Sequence, residues 1–180
     1  MRRLVVLILI AGAAVLGGSS SLVGGSGSSG EPGGSASRAR ARLVRVVDGD
    51  TVLVRLRGRE ERVRVIGIDT PESVKPGTPP ECGSKAAGSA LRRRTGRTVV
   101  LVSDPTQDAR DRYDRLLRYV QTPGGTDLGR AQVRAGWADV YVYDGRPFKR
   151  VGAYRRAQRR AQRERAGVFG RCGGDFHRAG

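Results

Sequence analysis

The chain has 180 residues, with 34 lysines and arginines against 17 acids, a formal charge of +17 carried almost entirely by arginine. That length holds one domain with extensions, and a single-sign field of this size favours a polyanionic partner, nucleic acid being the commonest, although an arginine-rich coding bias leaves the same mark on a merely solvated surface. One histidine and two cysteines exclude a Ser-His or Cys-His pair in the core and exclude a zinc site.

Residues 1–24 read as a signal peptide or an uncleaved N-terminal anchor. Arg2 and Arg3 precede an apolar run from Leu4 to Leu16, short for a membrane span. Residues 25–38 are a Gly/Ser-rich linker, too poor in apolar groups to order itself. The folded domain is expected over 39–174, and a tail over 175–180 carries His177, which is expected to be inert. Within the domain Val44–Val47, Val52–Arg57 and Arg62–Ile68 read as strands, the last two joined by a hairpin at Arg57-Gly58-Arg59-Glu60. A loop broken by proline and glycine covers 73–83. Ser84–Arg94 reads as a first helix. Thr98–Val102 and Leu116–Val120 read as strands, and Asp127–Ala135 as a second helix. A third helix spans about Pro147 to Ala166, with Pro147 in its first turn and Gly167 as its C-cap. Val151, Tyr154, Ala157 and Ala161 give it an apolar stripe, and Arg155, Arg156, Arg159, Arg160 and Arg163 crowd the other sides. Cys82 and Cys172, behind a signal sequence, are expected to form a disulfide.

The chemistry concentrates between Val46 and Glu72. A closed hairpin sets Asp50, at the start of one strand, beside Asp69 and Glu72 at the end of the next. Arg64 falls in phase with Ile66 and Ile68, so a charge shares an apolar face, which is costly unless it meets an anion. Without histidine, what remains is carboxylates, arginines and a hard cation. Asp50, Asp69 and the backbone carbonyl of Thr70 offer oxygen donors that suit calcium or magnesium. Arg64 and Arg115 can grip a phosphate, because guanidinium is a planar fork that stays charged at any working pH. Asp48 and Thr51 shape the turn around Asp50.

The run Asp48-Gly49-Asp50-Thr51, then Arg64, then Asp69-Thr70-Pro71-Glu72, then Asp111-Arg112-Tyr113-Asp114-Arg115, resembles the staphylococcal nuclease family over roughly residues 40–172. The resemblance implies an α+β fold, a five-stranded OB-type β-barrel with three helices. It implies a secreted, calcium-dependent endonuclease that hydrolyses phosphodiester bonds of DNA and RNA and leaves 3'-phosphate ends. It puts Glu72 beside the attacking water, as its base or as the group that orients it. It puts Arg112, Tyr113, Tyr141 and Tyr143 on the nucleotide. DNA and RNA are the expected partners of a monomer with no stable protein partner, tethered to the membrane if the leader stays uncleaved. Two departures stand out. Asp114 occupies a position where the family commonly has glycine, setting an acid beside Arg115, and Gly83-Ser84-Lys85-Ala86 lacks the usual glutamate of the helix start. The competing class is a non-catalytic OB-fold nucleic-acid-binding module, which has no need of the acids.

Overall fold

The computed structural model describes residues 35–73, 77 and 79–180. The expected leader over 1–24 and most of the linker lie outside the described residues. Five strands close into a barrel in the order β1-β2-β3-β6-β5, the expected OB-type arrangement, which leaves no free sheet edge. Strand β1 (Arg38–Val46) pairs with β5 (Thr98–Val102) through Arg38–Arg42, then with β2 (Thr51–Leu56) through Arg42–Val46. An irregularity between Leu43 and Arg45 marks the change of partner, a common device for bending a strand. The strand starts at Arg38, the last residue of the stretch expected to be a linker and well before Val44. Its inward positions there include Ala41, and alanine alternating with arginine gives a faint period-two signal.

Strands β2 and β3 (Arg59–Val65) form the expected hairpin, but Leu56 pairs directly with Arg59. The turn is therefore the two residues Arg57 and Gly58, both at positive φ (51° and 84°), the primed geometry that matches strand twist. Strand β3 stops at Val65 instead of running to Ile68. Val63 and Val65 point into the core, so Arg64 points away from it. The chain turns at Gly67, whose φ is 80° and whose missing side chain makes room for the ring of Phe148; a Cβ there would lie 2.4 Å from it. Ile66 and Ile68 reach the core only because of this turn, so the expected phase relation between Arg64 and the two isoleucines does not hold. Beyond it β4 (Ile68–Asp69) pairs with β7 (Asp139–Val140). Strand β6 (Leu116–Gln121) closes the barrel, antiparallel to β5 and parallel to β3 with Val63 opposite Leu116 and Arg64 opposite Leu117.

Helix α1 (Ser84–Arg94) has the expected bounds. Helix α2 (Leu128–Arg134) is capped by Asp127, whose carboxylate accepts from the Arg130 N–H at 3.1 Å. The same carboxylate accepts from the Tyr154 hydroxyl at 2.7 Å and pairs with Arg150 at 2.6 Å, which joins α2 to α3 (Val151–Arg163). The third helix is shorter at both ends than expected. Phe148 is buried in the turn before it, and after it a short α4 (Val168–Arg171) follows Gly167. The apolar stripe is as expected: Tyr154 and Ala161 are buried, and Val151 and Ala157 pack against the core. The five arginines on the other sides are exposed.

A second small core joins Val168, Cys172 and Phe176 with Cys82, Trp137 and Phe169 around it. The Cys82–Cys172 disulfide lies there, S–S 2.07 Å. The tail is part of this structure: Phe176 is buried, and Ala179 makes an antiparallel bridge to Glu81. Among the described residues no helix is long and apolar enough to cross a membrane.

Candidate active site

The site begins with a tight turn. The Asp50 N–H donates to the Asp48 carboxylate at 3.0 Å and Val47 N–H to the Thr51 carbonyl at 2.9 Å. Gly49 is required because a Cβ there would lie 2.7 Å from the Thr70 hydroxyl. Gln132, buried on α2, donates to the Gly49 carbonyl at 3.1 Å and to the Ala87 carbonyl at 2.9 Å, tying the turn to two helices. Asp50 is only 5% exposed and is fully engaged. It accepts from the Thr51 hydroxyl at 3.0 Å, from the Thr70 N–H at 3.1 Å and from the Thr70 hydroxyl at 2.9 Å.

Arg64 spans the two acids. One guanidinium arm contacts the Asp50 carboxylate and the other meets Asp69 Oδ1 at 2.7 Å, with the side chain 15% exposed. Arg115 comes just before β6, the strand paired beside β3. Its Nε donates to Asp111 Oδ2 at 2.7 Å and its N–H to Asp111 Oδ1 at 3.0 Å. Burial works to raise the Asp111 carboxyl, but the bonds from Arg115 and from the Tyr113 N–H overcome it and hold the pKa below the ordinary range. Asp114 sits at φ 61°, a left-handed position that glycine fills without strain and aspartate tolerates. Its carboxylate lies 3.5 Å from Arg110; the ion-pair partner of Arg115 is Asp111. Asp114, although adjacent in sequence, is therefore not the acid that pairs with Arg115.

Asp48, Asp50, Arg64, Asp69, Glu72 and Arg115 border one cleft of about 440 Å³, with Arg62, Thr70, Pro71 and Tyr113 completing its wall. Burial pushes the Asp48 carboxyl up, against the charges of Arg64 and Arg115 and the hydrogen bonds of Thr51. A second cleft of about 590 Å³ shares Arg64, Asp69, Tyr113 and Arg115 and adds Arg112, Tyr141 and Tyr143. The three tyrosines are exposed. Arg112 lies 4.8 Å over the Tyr113 ring and donates to its hydroxyl at 2.7 Å. Tyr141 and Tyr143 have ring centroids 6.4 Å apart. The ten expected site residues thus all border two adjoining clefts. Asp111 heads the Asp111–Arg115 motif but carries no expected role, and its spacing of four to Arg115 is the signal for the pairing. Glu81 and His177 were missed as neighbours of the site, His177 being brought 3.8 Å from Asp69 by the packed tail.

The donor chemistry of Asp50, Asp69 and the Thr70 carbonyl is hard oxygen, which fits a calcium-like cation that completes its shell with water. Two carboxylates are few. Among the described residues no group of three or more His, Cys, Asp or Glu side chains is arranged as a metal cage.

A closed barrel with acids, two arginines and exposed tyrosines around adjoining clefts suits phosphodiester chemistry, and likeness to known proteins makes the chain a phosphodiester hydrolase, a nuclease. Residues 62–170 match the family described as staphylococcal nuclease homologue. The thermonuclease of Staphylococcus intermedius is 35% identical over 137 residues, 74% of this chain and 79% of that protein. The thermonuclease of Staphylococcus hyicus is 35% identical over 130 residues, covering 71% and 74%. An uncharacterized endonuclease of Escherichia coli O157:H7 is 36% identical over 100 residues, covering 56% and 60%. The chain belongs to the staphylococcal nuclease family.

Proposed function

We propose that this nuclease is a calcium-dependent endonuclease acting on DNA and RNA outside the cytoplasm and leaving 3'-phosphate ends. One observation carries the reading: Asp50, Arg64, Asp69, Glu72 and Arg115 border a single cleft. Asp50, Asp69 and the Thr70 carbonyl hold the cation, which when bound neutralises a phosphate oxygen and binds water. Glu72 orients the attacking water and accepts its proton. Arg64 exchanges its acid partners for phosphate oxygens. Together with Arg115 it meets the charge that builds on the phosphoryl group in the transition state, where fixed donors act without reorganisation. Arg112, Tyr113, Tyr141 and Tyr143 offer stacking faces and donors for the neighbouring nucleotide.

Residues 1–24 are the leader or anchor and 25–37 the linker, and the folded domain runs from Arg38 into the packed tail of a monomer with no stable protein partner. The Cys82–Cys172 bond supports an oxidising, extracytoplasmic setting. The test is digestion of plasmid and of RNA with calcium, with magnesium and with chelator, followed by end analysis of the fragments. Cleavage is expected with calcium and lost in chelator; undiminished cleavage in chelator would remove the metal role of Asp50 and Asp69.

A further inference from the structure

The segment that follows Glu72 returns to it nine positions later at Glu81. The two residues hold each other twice. The Glu81 N–H donates to the Glu72 carbonyl at 2.9 Å, and the Glu81 carboxylate accepts from the Glu72 N–H at 2.6 Å. A carboxylate on a backbone N–H is a charge-assisted bond, shorter and stronger than a neutral one.

Glu81 is itself held on three sides. Its neighbour Cys82 is bonded to Cys172. The Cys82 N–H donates to the Arg178 carbonyl at 2.8 Å, and the Gly180 N–H to the Pro80 carbonyl at 2.9 Å. Its other carboxylate oxygen faces His177 Nδ1 at 3.4 Å. The tail and the disulfide therefore hold the chain on both sides of Glu81 through Pro80 and Cys82, and the Glu81 side chain, faced by His177, grips the backbone of Glu72.

From this geometry we infer that Glu81 is a positioning residue for catalysis: it fixes the main chain of Glu72, and the disulfide-anchored tail fixes Glu81. The inference rests on the reading of Glu72 as the group that handles the attacking water. Glu81 touches no reacting atom; it acts on where the Glu72 carboxylate can sit. A displaced catalytic group loses rate far more than affinity, because orientation is what it supplies to the transition state.

The experiment uses the oxidised full chain and four proteins: wild type, Glu81→Ala, Glu81→Gln and Glu72→Gln. Turnover and KM on plasmid DNA are measured with calcium, and a thermal melt shows each variant folded at the assay temperature. Glu81→Ala is expected to lower kcat by about tenfold or more with KM within about twofold. Glu81→Gln keeps an oxygen acceptor for the Glu72 N–H and is expected to recover most of that loss. Glu81→Ala with wild-type kcat, a rise in KM alone, or equal losses in the alanine and glutamine variants would each overturn the inference. Glu72→Gln separates the two claims. Its loss of turnover beside a fully active Glu81→Ala removes only the role of Glu81, whereas full turnover in Glu72→Gln removes the role of Glu72 and the inference with it.

Discussion

Replacing Arg64 with lysine separates chemistry from simple attraction. The charge stays and the fork goes. In the folded protein Arg64 reaches two acids with two arms, one to Asp50 and one to Asp69 at 2.7 Å. A lysine ammonium can serve one of them. Asp50 still keeps its three donors from Thr51 and Thr70, and Asp69, with about a third of its side chain exposed, can turn to water. The folded state therefore loses on the order of one charge-assisted bond, about 2 kcal/mol, too little to unfold an ordinary domain. Catalysis loses more. A transition-state donor that can no longer meet two phosphate oxygens costs about 3 kcal/mol, or about a hundredfold in turnover. Affinity for DNA in chelator depends on screened charge, and it should change by less than about threefold. The paired measurement is plasmid turnover with calcium and gel-shift affinity without it, on protein shown by melting to be folded. Unchanged turnover, or turnover and affinity falling together, would refute the assignment of Arg64 as a phosphate clamp.

Reduction of the Cys82–Cys172 bond, which spans 90 positions, should remove about 4 to 5 kcal/mol of stability in the chain-entropy model, read as a drop in melting temperature; thiol labelling of the native, unreduced protein should find neither cysteine. Burial works to raise Asp104, but hydrogen bonds from Tyr119, from the Thr106 and Lys149 main chains and from the Thr106 hydroxyl hold its pKa below 3.8. Its stabilisation is thus present above that value and lost as pH falls through it toward the lower folded pKa, so Asp104→Asn should lower stability at neutral pH and flatten the acid limb of a stability-versus-pH curve. Gly67→Ala must fit a Cβ against the Phe148 ring at positive φ, and it should cost about 2 to 4 kcal/mol by denaturant titration.

The parts of this fold that declared themselves in the sequence were those with strong local signals. Helix α1 and strand β5 have the bounds their patterns indicate, because alanine-rich and valine-rich runs have few competing conformations. The site residues were legible because short motifs carry them. What stayed hidden depends on tertiary contact. The first half of β1 alternates arginine with alanine, and only its ladder to β5 orders it. The turn at Gly67 depends on where Phe148 lies, and no local pattern places a ring from the turn before α3 under a glycine after β3. The partner of Arg115 is Asp111, not the adjacent Asp114, because the left-handed backbone at Asp114 sends its carboxylate toward Arg110. Nothing local marked the tail for packing, because its one large apolar residue, Phe176, gives no periodicity, yet that residue is buried beside the disulfide.

The parallel pairing of β3 with β6 bears on when this enzyme becomes an enzyme. Arg64 lies on one strand of that pair and Arg115 immediately precedes the other. The β2–β3 hairpin and the β5–β6 pair join strands close in sequence, so each closes a short loop and can form early. The β3–β6 pair joins distant segments and must wait for the entropy of that larger loop to be overcome. Until then the chain holds Arg64 and Arg115, the proposed phosphate grip, on two separate pieces. A refolding chain should therefore recover secondary structure before it recovers turnover, and the return of cutting marks the moment at which the cylinder shuts.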